Sequence, residues 1–367
     1  MTKLNRFLIL IMLALASCTP MGSDPAGECL KTIEQSPQYN KTDKQFQNPV
    51  KTPLSTGRSY TEIFFDFFFT SNNRRPEQKL PEQPTALSAL DNKSDDVRFI
   101  WFGHSTILLE IDSVRILVDP VFSEYASPIP GIAKRFQPPV FELGSISDID
   151  IVLISHDHYD HLDYETIDEL KARDIHYVVP LGVGAHLEGW GINKTKITEL
   201  DWWQSTRIGS LEFTCTPSQH FSGRGLFNKN TTLWSSWSLQ GKNSRVFISG
   251  DSGYGQHYKE IGERLGPFDI AFLENGAYSV DWKFVHQLPE ETVQANIDLK
   301  SKKLVPIHWG MFDLALHSWH EPIERVTAEA KLKGVDVVAP KLGQLVYVDE
   351  PFEVLDWWSA ITKAVGE

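Results

Sequence analysis

An apolar run, Ile151 to Ile154, leads straight into "SHDHYDHLD", which sets His156, His158, Asp160 and His161 within six residues. That stretch constrains the chain more than any other. A water-facing loop gains nothing from so many imidazoles and carboxylates, whereas a divalent cation needs this donor set at close range. In an extended segment His156 and His158 point to the same side and reach one ion. Asp160 and His161 fall where the chain turns into the next helix and face a second ion.

Three more residues of metal-ligand type end apolar strands in the same way. His220 follows "FTCTPSQ", Asp251 follows "VFISG" and His308 follows "LVPI". Singly each has an ordinary structural explanation; the repeated placement points to one strand-end rim carrying all of them.

The surrounding pattern sets the fold class. From about Asp96 the sequence reads as strands in runs punctuated by helices, with hairpins near Asp112–Ser113 and around Gly241–Ser244. "DYETIDELKARD" reads as a helix with Asp163 as N-cap and Ile167 and Leu170 facing inward. "PEETVQANIDLK" and "EPIERVTAEAKLKG" read as further helices. An α/β fold of two mixed sheets packed face to face, with helices outside, fits this order.

The start of the chain has its own logic. Lys3 and Arg6 precede an apolar run from Phe7 to Ala16 that is too short to span a bilayer, so a signal peptide is expected. Leu15-Ala16-Ser17-Cys18 resembles the lipobox of bacterial lipoproteins. That implies a membrane anchor at Cys18 and, with Thr19 next, an outer-membrane lipoprotein facing the periplasm. Residues 1–18 are thus expected to be the leader, 19–95 a tether or loosely packed wrapping segment, and 96–367 the folded domain that carries the histidine cluster. Cys29 and Cys215 are left to pair or stay free. The phenylalanine-rich "YTEIFFDFFFT" (60–70) is either core or a patch that meets acyl chains. A net charge of −13 argues against a general nucleic-acid partner, and no nucleotide-binding glycine-rich loop is present.

"SHDHYDHLD", "SQHFSGRG", "SGDSGY" and "PIHWGMF" resemble, in order, the metal motifs of the metallo-β-lactamase fold, a four-layer αββα sandwich. "WFGHSTILLEIDSVRILVDPVFS", "LDWWQS" and "FVHQLPEETVQ" narrow the likeness. They resemble the branch containing the phospholipase D that hydrolyses N-acylphosphatidylethanolamine, together with its bacterial relatives. The likeness runs from about Arg98 to Val348.

The resemblance implies two Zn²⁺ or similar divalent ions. His156, His158 and His220 would hold one; Asp160, His161 and His308 the other; Asp251 would bridge. Histidine at 158, where diiron members have glutamate, favours zinc. His286 falls where the branch has an active-site histidine, which with Asp160 completes the expected catalytic pair. Asp119 is expected to accept the free ring N–H of a ligand histidine. His104 does likewise, lines the pocket, or simply packs. Trp202, Trp203 and Phe221 are candidates for an apolar entrance.

The activity implied is hydrolysis of a phosphodiester in a phospholipid substrate. Two ions about 3.5–4 Å apart clamp both oxygens of an in-line displacement. Lactone, phosphate-ester or β-lactam hydrolysis on the same fold is the nearest alternative. A non-catalytic metal-binding envelope lipoprotein is the more distant one.

Overall fold

The computed structural model describes residues 19–363, apart from 55, 56, 60, 63, 64, 67–72 and 226. The leader, Cys18 and most of the phenylalanine-rich segment lie outside these residues. Phe65 is described and is 55% exposed.

Residues 19–48 lie along the domain surface, closely packed against it. Helix α1 (Gly27–Ile33) and a two-strand ribbon (Tyr39–Asn40 with Gln45–Phe46) anchor the segment. Ile33 and Phe46 are fully buried in the main core. Trp190 Nε1 donates to Thr19 O at 2.8 Å and Arg224 donates to Pro20 O at 2.6 Å. The expectation of a tether or loose wrapping is corrected here. The polar composition hid two deeply set apolar side chains and several backbone groups bonded to the domain.

Two seven-stranded sheets form the body. In the first, β1 (Arg98–Trp101), β2 (Ile107–Ile111) and β3 (Val114–Val118) run antiparallel. Then β4 (Ile151–Leu153), β5 (His176–Pro180) and β6 (Ile197–Leu200) follow in parallel. The second repeats that plan. β7 (Ser205–Ile208), β8 (Leu211–Thr216), β9 (Ser236–Gln240) and β10 (Arg245–Ile248) are antiparallel. β11 (Ile270–Glu274), β12 (Lys303–Ile307) and β13 (Asp336–Val337) continue in parallel. The last strand, β14 (Leu345–Tyr347), returns to pair with β1.

The parallel step from β3 to β4 runs through a long loop with a single 3-10 turn (Leu143–Ser145), and each of the other five crosses over through an α-helix. α2 (Tyr164–Leu170) and α3 (Gly184–Gly189) serve the first sheet. α4 (Gln256–Arg264), α5 (Pro289–Asp298) and α6 (Glu321–Lys333) serve the second. At the β2–β3 hairpin both turn residues, Asp112 and Ser113, have positive φ (51° and 62°), as a type I′ turn demands.

Strand alternation sorts the side chains into two cores. Ile107, Leu109, Ile116 and Val118 face the second sheet, in a cluster with Phe213, Trp237 and Phe272. Leu108, Leu117, Val152 and Tyr177 face the other way, onto Ile167 and Leu170 of α2 and Leu187 of α3. Central strands are thus buried on both faces, which is why they read as unbroken apolar runs.

Asp163 does precede α2, but its carboxylate bonds to none of the backbone N–H groups of that helix. It accepts instead from Ser123 N at 3.1 Å and from the Thr166 hydroxyl at 2.5 Å. The loop after β3 outcompetes the helix start for the same oxygen.

Candidate metal centre

The seven candidate ligands gather at one rim, around the C-terminal ends of β4, β8, β10 and β12. In the second sheet β10, β11 and β12 are parallel neighbours, so their exits lie side by side. His308 comes directly after β12 and Asp251 three residues after β10. From the first sheet, the loop between β4 and α2 brings His156, His158, Asp160 and His161. His220 arrives from the exit of β8.

Two donor groups result. The ligand atoms of His156, His158, His220 and Asp251 all lie within 4.8 Å of one another; so do those of His104, Asp160, His161 and His308. Asp251 stands between them. Its Oδ1 is 3.1 Å from both His161 Nε2 and His308 Nε2. Its Oδ2 is 3.6 Å from His220 Nε2 and 3.9 Å from His156 Nε2.

The inward-facing atoms are lone pairs aimed at one another. His220 Nδ1 donates to Val285 O at 2.8 Å, which leaves Nε2 as the lone-pair nitrogen. That atom lies 3.2 Å from His158 Nδ1, which is in turn 2.9 Å from His156 Nε2. His161 Nδ1 donates to Asp119 Oδ2 at 2.8 Å, which leaves Nε2 as the atom turned to Asp251 Oδ1. His161 Nε2, His308 Nε2 and Asp251 Oδ1 are buried without a hydrogen-bond partner. Such an arrangement is repulsive unless protons or metal ions sit among the donors. The residues therefore fit divalent ions of the imidazole- and carboxylate-binding kind.

Electrostatics divides the centre in two. Burial first, then neighbouring imidazoles, hold His156 and His220 well below the ordinary histidine value, so both rings stay neutral and ready to ligate. Burial also opposes charge on His308, but the Asp251 and Asp160 carboxylates overcome it and raise that ring to about 10. His161 is likewise pushed up, against burial, by Asp251, Asp160 and Asp119. Positive charge is in demand on that side, and a metal ion would supply it.

Supporting residues hold these side chains in place. Asp119 also accepts from Ser155 N and Ser155 Oγ, both at 2.7 Å, and so ties the ligand loop to the end of β3. His104 Nε2 bonds to Asp160 Oδ2 at 2.9 Å; it supports a ligand carboxylate, where support of a histidine was one expectation. His104, Asp119 and His308 all have positive φ (52°, 38° and 66°), so backbone strain collects at the site.

Two supports escaped the sequence. Asn48 donates to His220 O at 2.8 Å, across 172 residues, and nothing local signals that. Glu274, at the end of β11, lies against His286; the strand-end pattern that picked out Asp251 and His308 applied to it equally.

Above the donors opens a cavity of about 410 Å³. Its floor is His158, Asp160, Asp251 and His308, and its wall includes Leu54, Phe221, Trp282, Val285, His286 and Leu314. Phe221 takes the expected place at the entrance. Trp202 and Trp203 do not. Trp202 is buried and donates to Trp234 O at 2.7 Å, and Trp203 lies under the Arg264 guanidinium at 3.8 Å. The two cysteines among the described residues are free thiols, Cys215 inside β8 and Cys29 on α1.

A family model described as a β-lactamase superfamily domain matches residues 114–309, which include all seven candidate ligands. The chain belongs to that superfamily. An uncharacterised protein of Mycobacterium tuberculosis is 47% identical over 92% of this chain and 91% of its own length. The N-acyl-phosphatidylethanolamine-hydrolyzing phospholipase D 1 of Caenorhabditis elegans is 31% identical over 83% of this chain and 93% of its own. A metallo-hydrolase from the archaeon Ignicoccus hospitalis shares the fold, with a TM-score of 0.54 at 19% identity, over 70% of this chain and 99% of its own. The superfamily member described here is a hydrolase of the metallo-β-lactamase fold whose His/Asp clusters are able to bind metal.

Proposed function

We propose that this chain hydrolyses a phosphodiester bond of a membrane phospholipid, of the N-acylated ethanolamine kind, at a two-zinc centre. The observation that carries the proposal is the cavity. Metal donors form its floor, while Leu54, Phe221, Trp282, Val285 and Leu314 make much of its wall apolar, suited to a phosphate carrying acyl chains. The worm relative's name supports the same substrate class.

In this reading His156, His158 and His220 would hold one ion and Asp160, His161 and His308 the other, with Asp251 shared between them. Bound divalent ions supply a nucleophile at neutral pH and offset charge on the phosphate oxygens. Asp160, fixed by His104, keeps its carboxylate at the cavity floor. His286 faces the cavity and gives a proton to the leaving alcohol oxygen as the phosphorus–oxygen bond breaks. Water is consumed, and phosphatidic acid and an N-acylethanolamine leave. The apolar wall holds the chains and excludes bulk water.

The proposed location is the bacterial outer membrane, facing the periplasm, with Cys18 lipidated. This rests on residues 1–19; among the described residues no helix is long and apolar enough to cross a membrane.

The test is the zinc-loaded full chain on vesicles of phosphatidylcholine and N-acylphosphatidylethanolamine, read by mass spectrometry. Phosphatidic acid should appear, and Asp160→Ala should abolish it. Release that survives in Asp160→Ala, or hydrolysis of lactones with none of the lipid, overturns the proposal.

A further inference from the structure

Glu274 ends β11 between the exits that carry Asp251 and His308, yet belongs to neither donor group. It is fully buried. Each of its carboxylate oxygens has one partner: Oε2 accepts from Ser252 N, and Oε1 lies 2.5 Å from His286 Nδ1. Its backbone carbonyl accepts from Gln287 Nε2 and from the Thr292 hydroxyl, both at 2.8 Å. Glu274 therefore grips two consecutive residues, His286 through its side chain and Gln287 through its main chain. A buried carboxylate oxygen left without a donor is costly, which makes the contact with His286 a structural obligation.

That contact decides which nitrogen of His286 meets substrate. Nδ1 lies only 4.0 Å from Asp251 Oδ2 and, with Asp251 and His308, falls within metal-binding reach. A ring free to turn would compete for a cation.

We infer that Glu274 is a positioning residue for His286. It engages Nδ1–H, withholds that nitrogen from the metal donors, and leaves Nε2 as the atom presented to the leaving oxygen. The inference rests on the proposed phosphodiester chemistry for its catalytic consequence, but the tautomer it requires does not.

The experiment uses the full chain, with and without zinc, labelled with ¹⁵N in the histidine rings. Wild-type His286 should be protonated at Nδ1 in both states, and Glu274→Ala and the volume-conserving Glu274→Gln should both lose that signature with zinc content unchanged. On N-acylphosphatidylethanolamine, whose alkoxide cannot leave without a proton, each variant should lower kcat by about 100-fold, the size of a lost general acid. Bis(p-nitrophenyl) phosphate, whose phenolate leaves unaided, should lose less than about threefold. KM should stay within about twofold. Placed in His286→Ala, the same substitutions should cost less than about threefold, because the two residues act as one unit. A wild-type ring protonated at Nε2 and not at Nδ1 overturns the inference. So does an equal loss with and without His286. If the wild-type chain hydrolyses no phosphodiester, the proposed function fails, and the ring tautomer alone then decides for or against Glu274.

Discussion

Asp119 accepts the Nδ1–H of His161 at 2.8 Å from a backbone held at φ 38°. The same carboxylate carries Ser155, one residue before His156, so a single side chain aims ligands from both donor groups. Asp119→Asn keeps the shape but removes the charge and turns one acceptor into a donor. Loss of such outer support costs about 10–100-fold in metal affinity. Competition with a chromophoric chelator should show weakened binding at the His161 side. Unchanged affinity would remove Asp119 from the account.

Asn48 links the N-terminal segment to the centre. Its side chain donates to His220 O and accepts from Trp234 Nε1 at 3.0 Å. Asn48→Ala leaves the His220 carbonyl and N–H without these partners, at about 1–3 kcal/mol, while Trp234 Nε1 keeps Ser218 O at 3.1 Å. Urea unfolding should show that loss, and zinc should dissociate faster from the variant. A variant as stable as the parent would make residues 19–48 a mere covering.

Metal-free protein should have a stability maximum near pH 6.5. His156 and His220 sit well below their ordinary value of 6.5, through burial first, so acid protonates the unfolded chain and not the folded one. Stability falls on that side. His308, raised to about 10 by carboxylates that outweigh burial, adds stability fully present below 6.5 and lost as pH rises towards 10. In zinc-loaded protein the ligand rings carry no such proton, and the alkaline loss should disappear. Unfolding curves across this range, with and without chelator, check it; an apo-protein as stable at the alkaline end as at pH 6.5 contradicts it.

Thiol counting tests the proposed anchor. Cys29 is pushed up to about 12 by burial and by Glu199, and Cys215 is raised by burial, so both thiols stay protonated and slow to react in the folded chain. Denatured and reduced, the protein taken from membranes should titrate as two thiols, Cys18 being blocked as a thioether. Three thiols would refute lipidation.

Much of the site could be read from the sequence because metal chemistry restricts residue types. Few other uses exist for His156, His158, Asp160 and His161 so close together, and strand ends told where His220, Asp251 and His308 would meet them. The two-sheet fold was legible because apolar runs of strand length, interrupted by helix patterns, leave few other packings. Residue type without direction was less informative. Trp202 and Trp203 signalled burial and nothing of the entrance, and Asp163 marked a helix start while its carboxylate served another loop. Asn48 was beyond reach, since only the folded chain sets it beside His220. Glu274 was passed over because glutamate on an apolar strand reads as a lone charge until its partner is seen.

The central claim is a pair of cations divided by Asp251. Anomalous diffraction at the zinc edge from crystals of the zinc-loaded chain tests it most directly. Two peaks are expected, one among His156, His158 and His220 and one among Asp160, His161 and His308, with a carboxylate oxygen of Asp251 towards each. A single peak, or peaks away from these residues, would contradict it.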